Sequence, residues 1–310
     1  MNIALTGATT DLGKSILTHL SRTHTIGMLT QPGFTYDAAI LGRFFKDKDA
    51  LVHCAAELDL TPKKLEEYVA INALLTGLLA SLSARAPRPP KFIYMSSAMV
   101  YQLPDDDAIT RLARQFAVFC QEAAARDGQC DLLRLARRFI AQNNWFPFAR
   151  YNGYTLTKYL GEAAALALPG AAVLRVSNAY GPGYDDPRLI PRLIMGRLTG
   201  RGASYIKERR DFVYCEDINR LVGAVLKRDI AGVIDCCSNE LTSVKQVRDT
   251  IVRLTPTAYG KLVGNQTAPK VSHGTLAAPA DANLPDIIGS PQPFGEGLAA
   301  TLLYHKAQCY

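Results

Sequence analysis

Residues 2–13 read NIALTGATTDLG, and this stretch decides the fold. It consists of a short apolar run, a glycine-containing turn and the start of a helical pattern that continues to Leu20. Strand, glycine turn and helix is the order that a dinucleotide-binding loop requires, because backbone N–H groups at the start of the helix can meet a pyrophosphate. The stretch therefore predicts a strand-loop-helix unit with a candidate dinucleotide site. A simple turn is the alternative interpretation.

Two further apolar runs predict buried parallel strands. Residues 50–56 are apolar apart from His53, which we interpret as a core histidine with satisfied hydrogen bonds rather than as a catalytic group. Residues 91–97 run from apolar side chains into two serine hydroxyls at the C-terminal end. Open α/β sheets bind their ligands at that end of the strands, so Ser97 is a candidate for chemistry.

Tyr154 and Lys158 form the candidate catalytic pair. On a helix, their spacing places both side chains on the same face, one turn apart. An ammonium at ~4 Å from the phenol lowers the pKa of the tyrosine from its usual value near ~10, so that it can exchange a proton with an alcohol near neutral pH. In a chain of this composition the spacing arises by chance about as often as not. The pair therefore needs support from its surroundings.

The end of the second predicted strand lacks a feature that dinucleotide sites usually have. This strand covers residues 24–29, and an acidic residue commonly follows such a strand to hold the ribose hydroxyls of NAD. Residues 30–32 read TQP, which supplies neither an acid nor an arginine for NADP. Asp37 then caps a predicted helix over residues 38–45. The sequence thus predicts a reduced adenosine end of the pocket.

The composition of the chain limits the classes of protein to which it can belong. The 310 residues are 48% apolar and 20% charged, which is ordinary for a globular chain. No apolar run reaches the length of about eighteen residues that predicts a membrane span. The net charge is +7, but the basic residues are scattered. We therefore expect an anionic small molecule, and neither nucleic acid nor a membrane, as the partner.

Cysteine usage indicates a reducing compartment. The seven cysteines show no Cys-x-x-Cys spacing, and no secretory signal is visible at the N-terminus. We therefore expect a cytoplasmic protein without a metal site. The adjacent Cys236 and Cys237 allow a redox or metal role, but their apolar surroundings favour ordinary strand residues.

A long segment separates Ser97 from Tyr154. Residues 105–148 contain an acidic turn, helical patterns near residues 108–125 and 131–141, and an aromatic stretch. Apolar residues recur there at helical spacing, which predicts amphipathic helices. The segment is either a lid over the site or an added packing element, and we favour the lid.

Six landmarks occur in order along the chain. They are TGATTDLG at 6–13, HCAA at 53–56, SSAMVY at 96–101, Tyr154 with Lys158, RVSNAYGPG at 175–183 and RDFVYCEDI at 210–218. Together they resemble the extended short-chain dehydrogenase/reductases, the NAD-dependent epimerase/dehydratase group. The resemblance covers residues 1 to about 250 and is specific in combination.

The resemblance implies an α/β fold with a doubly wound parallel sheet. This Rossmann domain would bind NAD or NADP, and a smaller C-terminal region would bind the substrate. We expect the first domain at residues 1–176, with a helical insert at 105–148. The substrate region is expected at 177–310, interleaved with the last strands and helices of the core. A homodimer is also compatible with the resemblance.

Roles for single residues also follow from the resemblance. Tyr154 is implied as the catalytic acid or base, Lys158 as the residue that holds the nicotinamide ribose and lowers the pKa of the tyrosine, and Ser97 as a partner of the reacting oxygen. The implied cofactor-binding residues, besides Tyr154 and Lys158, are Gly7, Thr9, Thr10, Asp11, Leu12, Gly13, Cys54, Ala55, Ala56 and Asn72. The implied substrate-binding residues are Ser97, Asn178, Arg188 and Arg210, of which Asn178 and Arg210 match positions that contact the diphosphate in nucleotide-sugar members.

Departures from the family pattern bear on the cofactor and the substrate. The middle glycine of the cofactor loop is missing, and Phe34 stands where an aspartate commonly touches adenine. Ala98 and Met99 replace the Asp-Glu pair of dehydratase members, which disfavours a sugar 4,6-dehydratase. A second arginine for the diphosphate is not evident around residues 277–281, and the insert lies where the substrate normally sits.

These features predict an NAD(P)-dependent enzyme that transfers hydride to or from a secondary alcohol or ketone of a nucleotide-linked sugar. The reduced adenosine end favours exchange of the cofactor, and hence a ketoreductase over an epimerase. A catalytically weak NAD(P)-binding regulatory protein that keeps the fold is the alternative, supported by the missing glycine and acid. The complete set of Ser97, Tyr154 and Lys158 argues for the enzyme.

Overall fold

A computed structural model describes residues 1–29, 35–57, 65–126, 129–185, 188–256, 260–265 and 284–309. Two compact units divide the chain. Unit 1 comprises Met1–Arg175 and Val222–Ile234, and unit 2 comprises Val176–Leu221 and Asp235–Tyr310. The domain boundary at 176/177 stays a prediction. Residues 30–32, Phe34 and residues 277–281, to which the sequence analysis assigned departures, lie outside the described residues.

The described residues contain thirteen strands and twelve α-helices. The strands are β1 Asn2–Thr6, β2 Thr25–Leu29, β3 Thr35–Asp37, β4 Ala50–His53, β5 Lys91–Ser97, β6 Gln129–Asp131, β7 Ala172–Val176, β8 Asn178–Tyr180, β9 Ala203–Ile206, β10 Arg209–Tyr214, β11 Gly232–Cys236, β12 Leu241–Ser243 and β13 Leu262–Asn265. The α-helices are α1 Asp11–Leu20, α2 Ala38–Phe45, α3 Leu65–Tyr68, α4 Leu75–Ala84, α5 Asp107–Ala124, α6 Leu132–Gln142, α7 Gly153–Leu166, α8 Leu189–Leu198, α9 Cys215–Arg228, α10 Val244–Leu254, α11 Leu284–Ile288 and α12 Phe294–Gln308. A π-helix at Val69–Leu74 and 3-10 helices at Ala98–Gln102 and Phe146–Phe148 complete the described elements.

A six-stranded sheet organises unit 1, with the strand order β11-β7-β5-β4-β1-β2. β1 pairs in parallel with both β2 and β4, and β4 pairs in parallel with β5. The strand order therefore changes direction at β1, and the C-terminal ends of β1, β4 and β5 lie at one edge of the sheet. In doubly wound sheets the ligand crevice lies at this point. The predicted fold class is confirmed.

The sheet ends on β2 within the described residues, because β3 pairs elsewhere. β3 is antiparallel to β6, with Tyr36 opposite Cys130. Asp37 caps α2 as predicted, since its side chain accepts a hydrogen bond from the backbone N–H of Ile40 at 2.9 Å. Among the described residues, β2 is therefore the one strand of the six-stranded sheet on that side of β1.

The segment between β5 and α7 contributes a core helix. α5 packs against α4 and α7, and its apolar face, including Phe116 and Cys120, is buried in the core of unit 1. The approach to α4 is close, because a Cβ on Gly77 would lie 2.3 Å from the Sγ of Cys120. α5 therefore has the packing role. The lid hypothesis finds no support in this helix.

One stretch among the described residues, Leu65–Ala84, is long and apolar enough to cross a membrane by length and composition. It runs through α3, the π-helix and α4, and 72% of its most apolar window is buried inside the structure. A core helix passes the same test because its side chains pack on other elements of its own chain.

Unit 2 has its own sheets and core. Its strands form a three-stranded sheet in the order β12-β10-β8 and a two-stranded sheet of β13 and β9. α8, α10 and α12 pack on one another beside these strands. The buried side chains of this unit include Leu193, Phe212, Val247 and Leu298.

Candidate active site

The glycine loop after β1 is built for close backbone approach. Gly7 has a φ of +69°, and a Cβ there would lie 2.4 Å from the backbone nitrogen of Ala55. A Cβ on Gly13 would lie 2.0 Å from the carbonyl oxygen of Gly7. Thr10 caps α1, because its Oγ1 accepts from the N–H of Gly13 at 3.1 Å and donates to the carbonyl of Gly7 at 2.8 Å.

This loop fits a dinucleotide pyrophosphate at the start of α1, despite the missing middle glycine. The cap made by Thr10 uses the Gly13 N–H, which leaves fewer donors for a phosphate than an uncapped turn would offer. Asp11 adds a carboxylate in the first turn of α1, and a carboxylate there repels an anion. The loop therefore allows close backbone approach, while the Thr10 cap and the Asp11 carboxylate reduce its attraction for a phosphate. Direct contacts of Thr9 and Leu12 with a cofactor stay predictions.

The end of β4 meets this loop. The backbone N–H of Cys54 donates to the carbonyl of Thr6 at 3.2 Å, and that of Ala55 reaches the Oγ1 of Thr6 at 3.4 Å. Burial raises the pKa of the Cys54 thiol to about 12. A protonated thiol is a poor nucleophile, so Cys54 acts as a small packing residue here. Cofactor contacts of Cys54, Ala55 and Ala56 stay predictions.

His53 is a core histidine, as the sequence indicated. Its Nδ1 lies 2.6 Å from the Oγ1 of Thr6 and its Nε2 lies 2.9 Å from the Oγ1 of Thr76. Burial, with a smaller contribution from the charge of Lys158, lowers the pKa of His53 to about 3. The ring is therefore neutral and fixed by two hydroxyls, and it links β1 to the α4 helix.

Asn72 connects the end of β4 to α7. It is fully buried in the π-helix, a geometry often found at functional sites. Its Oδ1 accepts from the N–H of Glu57 at 2.8 Å, and its Nδ2 donates to the carbonyl of Glu57 at 3.1 Å and to the Oγ1 of Thr157 at 3.4 Å. Both amide hydrogens are thus used inside the protein. The structure gives Asn72 a positioning role, and its predicted direct contact with the cofactor stays untested.

Lys158 is buried in the core with 1% of its surface exposed. Its Nζ donates to the carbonyl of Met95 at 2.5 Å and lies 4.3 Å from the centre of the Tyr94 ring. Burial lowers the pKa of Lys158 to about 7, while Glu162 and Cys54 act to raise it. Met95 precedes Ser97 by two residues on β5, so the ammonium lies at the strand that carries the candidate hydroxyl.

Tyr154 lies near the start of α7 and Ser97 lies at the end of β5. The hydrogen bond from Lys158 to the Met95 carbonyl joins these two elements. Tyr154 lies in the first turn of α7, whose N-cap is Asn152, and is 8% exposed. Ser97 ends β5, and its Oγ accepts from the N–H of Met99 at 3.2 Å, which caps the following 3-10 helix. That cap uses the hydroxyl as an acceptor only, so Ser97 can still donate its proton to another oxygen.

A buried ion pair behind Lys158 was missed by the sequence analysis. Glu162 lies one turn after Lys158 on α7 and is 1% exposed. The Nη2 of Arg175 donates to it at 2.7 Å and its Nε at 3.1 and 3.2 Å, and the Oγ of Ser96 donates to it at 2.6 Å. Arg175 also lies 4.7 Å from the ring centre of Tyr101. The spacing of Glu162 from Lys158 and an arginine within a buried strand were the available signals.

Of the four predicted substrate residues, Ser97 lies in unit 1, and Asn178, Arg188 and Arg210 lie in unit 2. Asn178 on β8 donates from Nδ2 to the carbonyl of Asp211 at 2.8 Å, and the Nη1 of Arg210 lies 3.5 Å from its Oδ1. The structure thus brings Asn178 and Arg210 together. Arg210 also forms an ion pair with Glu208. Arg188 is exposed and directly precedes α8.

The thiols and the other possible metal ligands form no ion site in the part of the chain that the structure describes. No group of three or more His, Cys, Asp or Glu side chains is placed there to hold a metal ion. Cys236 ends β11, Cys237 follows it, and both are buried cysteines. Burial raises the pKa of each thiol well above its usual value, which fits ordinary packing residues.

We expect Glu162→Gln to lower the free energy of unfolding by about 3 kcal/mol, because it leaves the mostly buried guanidinium of Arg175 without its counter-charge. Urea unfolding followed by circular dichroism measures the loss. The matched control is Glu122→Gln at an exposed position of α5, which should change stability by less than about 0.5 kcal/mol. Equal effects of the two substitutions would contradict a structural role for the pair.

Comparison with known proteins agrees with this geometry. Residues 136–235 match the model of the NAD dependent epimerase/dehydratase family, and no curated protein matches the sequence. Among solved structures, MoeE5 in complex with UDP-glucose and NAD is similar at 19% identity over 100% of both chains, with a TM-score of 0.74. UDP-glucuronic acid 4-epimerase from Bacillus cereus, in complex with UDP-glucuronic acid and NAD, is similar at 20% identity over 100% of both chains, with a TM-score of 0.73.

A third similar structure has a different reaction. TunA, an NAD-dependent NDP-hexosamine 5,6-dehydratase of tunicamycin biosynthesis, is 20% identical over 99% of this chain and 98% of its own, with a TM-score of 0.72. At such identities these likenesses show the fold, and the family model adds a sequence match in the segment that contains Tyr154, Lys158 and Arg175. The predicted resemblance to the NAD-dependent epimerase/dehydratase family is therefore confirmed.

Proposed function

We propose that this protein is an NAD-dependent enzyme that oxidises or reduces a secondary hydroxyl of a nucleotide-linked sugar. The observation that carries the proposal is the position of Lys158. Its ammonium is bound to the Met95 carbonyl on β5, so α7 holds the candidate pair Tyr154 and Lys158 beside the strand that ends in Ser97. That strand end lies at the edge where a doubly wound sheet binds its ligands.

Tyr154, Lys158 and Ser97 have separate roles in the proton transfer. The phenolate of Tyr154 takes the proton of the substrate hydroxyl during oxidation, and the resulting phenol returns it during reduction. The positive charge of Lys158 on the same helix face stabilises the phenolate. The hydroxyl of Ser97 donates to the reacting oxygen and holds it near the phenol. Bound NAD would supply the acceptor or donor of hydride, and the loop Gly7 to Gly13 with the end of β4 would hold it.

Support for a nucleotide-linked sugar comes from two sources. The similar structures MoeE5 and the Bacillus cereus epimerase contain UDP-sugars together with NAD. In unit 2 of this chain, Arg210 and Asn178 are neighbours, and a fixed guanidinium with an adjacent amide suits a phosphate. NAD is favoured over NADP because the similar structures contain NAD. The predicted cytoplasmic location and homodimer stay proposals.

Between the possible reactions, the sequence after β2 supports a ketoreductase, because residues 30–32 supply neither an acid nor an arginine for the adenosine ribose. A ribose that lacks such a partner is held less tightly, so the cofactor exchanges more readily. An epimerase keeps its cofactor through the cycle and needs the opposite property.

The second candidate function is a regulatory protein that binds NAD(P) without efficient chemistry. Its specific support is the altered loop, in which Thr10 uses the N–H of Gly13 and Asp11 adds a negative charge. Against it stands the cost of a buried lysine. Burying an ammonium costs several kcal/mol before it is compensated, and a binder has no chemical need for one beside a tyrosine.

Tyr154→Phe tests the proposed chemistry. Removal of the phenol oxygen should lower turnover of a UDP-sugar with NAD by at least about a hundredfold while cofactor affinity stays nearly unchanged. Absorbance of NADH measures the first and fluorescence titration the second. Tyr159→Phe, at the partly buried position five residues further on α7, is the matched control and should keep its activity. Full activity of Tyr154→Phe would rule out the mechanism.

Cofactor retention separates the two reactions. For a ketoreductase, protein purified without added cofactor should release far less than one equivalent of NAD on heat denaturation, because residues 30–32 supply neither an acid nor an arginine for the adenosine ribose. Chromatography of the released nucleotides measures the amount. A full equivalent of retained NAD would reverse the preference in favour of an epimerase.

A further inference from the structure

The guanidinium of Arg210 is already bound to a carboxylate of its own chain. Its Nε donates to Oε1 of Glu208 at 2.5 Å, and its Nη2 contacts the same oxygen. The two side chains are mostly shielded from water, with exposed fractions of 17% for Arg210 and 11% for Glu208. A pair so shielded is screened by salt much less than a surface ion pair.

The backbone fixes Glu208 in this position. Only Lys207 and Glu208 connect β9 to β10, and the carbonyl of Glu208 accepts from the N–H of Val244 at the start of α10 at 2.9 Å. Arg210 is paired with Thr242 of β12. Because both ends of the ion pair belong to hydrogen-bonded backbone, the carboxylate and the guanidinium stay close without ordering a loop.

The other acidic group next to Arg210 has different partners. Asp211 is buried, and its Oδ1 accepts from the Oγ of Ser177 at 2.7 Å and from the N–H of Ser238 at 2.9 Å. Successive side chains of a strand point to opposite faces, so Arg210 and Asp211 lie on opposite faces of β10. The contact of Glu208 with Arg210 places its carboxylate on the face of Arg210. The contact of Arg210 with Asn178 is longer, at 3.5 Å.

We propose that Glu208 is the residue that limits anion affinity at the substrate site, because it competes with the substrate for Arg210. This inference rests on the proposed function in that it takes Arg210 as a phosphate-binding residue. An incoming phosphate must displace the Glu208 carboxylate from the guanidinium or bind beside its negative charge. Either event weakens binding, so the site is tuned to bind and release its substrate rather than to hold it tightly.

The test compares anion binding to the full chain, saturated with NAD, before and after Glu208→Gln. The probes are inorganic pyrophosphate and UDP, and isothermal titration calorimetry at low salt measures both dissociation constants. Removal of the competing charge should tighten both by about tenfold. Glu208→Ala should give the same gain, and thermal melting checks that each variant is folded. The matched control Glu240→Gln removes a carboxylate at an exposed position of the same unit and should leave both constants unchanged.

A second background tests whether the effect passes through Arg210. In Arg210→Met protein, adding Glu208→Gln should produce no gain, because there is no guanidinium for the carboxylate to occupy. An equal gain with and without Arg210 would overturn the proposal, since it would indicate a general effect of charge. Unchanged affinity in both Glu208 variants, or an equal gain in Glu240→Gln, would overturn it as well.

The same measurements separate this inference from the proposed function. Tighter pyrophosphate binding through Arg210, combined with no turnover of any UDP-sugar, would leave the competition intact and reject the nucleotide-sugar assignment. Turnover of a UDP-sugar with no change of affinity in the Glu208 variants would support the nucleotide-sugar assignment and reject the competition for Arg210.

Discussion

The candidate site depends on one interaction, the hydrogen bond between the buried ammonium of Lys158 and the carbonyl of Met95. A cation taken out of water needs compensation for several kcal/mol of lost hydration. The Met95 carbonyl and the face of the Tyr94 ring supply part of it directly. Both groups belong to β5. The contacts that compensate for the lost hydration of Lys158 therefore also fix α7 against the strand that ends in Ser97.

The surrounding residues hold this arrangement in place. Glu162 is the nearby counter-charge that raises the pKa of Lys158 against burial, and Arg175 and Ser96 in turn hold Glu162. On the other side, Asn72 ties Glu57 after β4 to Thr157 on α7. Close packing is part of the same design, because a Cβ on Gly161 would lie 2.6 Å from the Asn72 carbonyl oxygen. Chemistry and core packing therefore share one set of contacts.

Local patterns were enough to predict the elements that carry the site. The apolar runs predicted β1, β4 and β5, and the glycine turn predicted the loop after β1. The position of His53 inside a buried strand predicted that its ring is hydrogen-bonded within the core. Contacts between residues that are distant in sequence could not be predicted in this way. The Glu162 to Arg175 pair forms across α7 and β7, and the helical pattern of α5 did not say that its apolar face packs on α4 and α7. Glu208 lies just before β10, two residues from Arg210, and this short spacing of opposite charges was a signal that the sequence analysis did not use.

Titration of Lys158 tests this account most directly. Nuclear magnetic resonance of protein with 13C-labelled lysine side chains follows the Cε resonance of each lysine with pH, and Lys158→Met assigns the signal. If the ammonium lies in the dry position between β5 and α7, its pKa is lowered and the midpoint of the titration falls at about 7. A midpoint at the ordinary lysine value of 10.5 would place Lys158 in water and contradict the account.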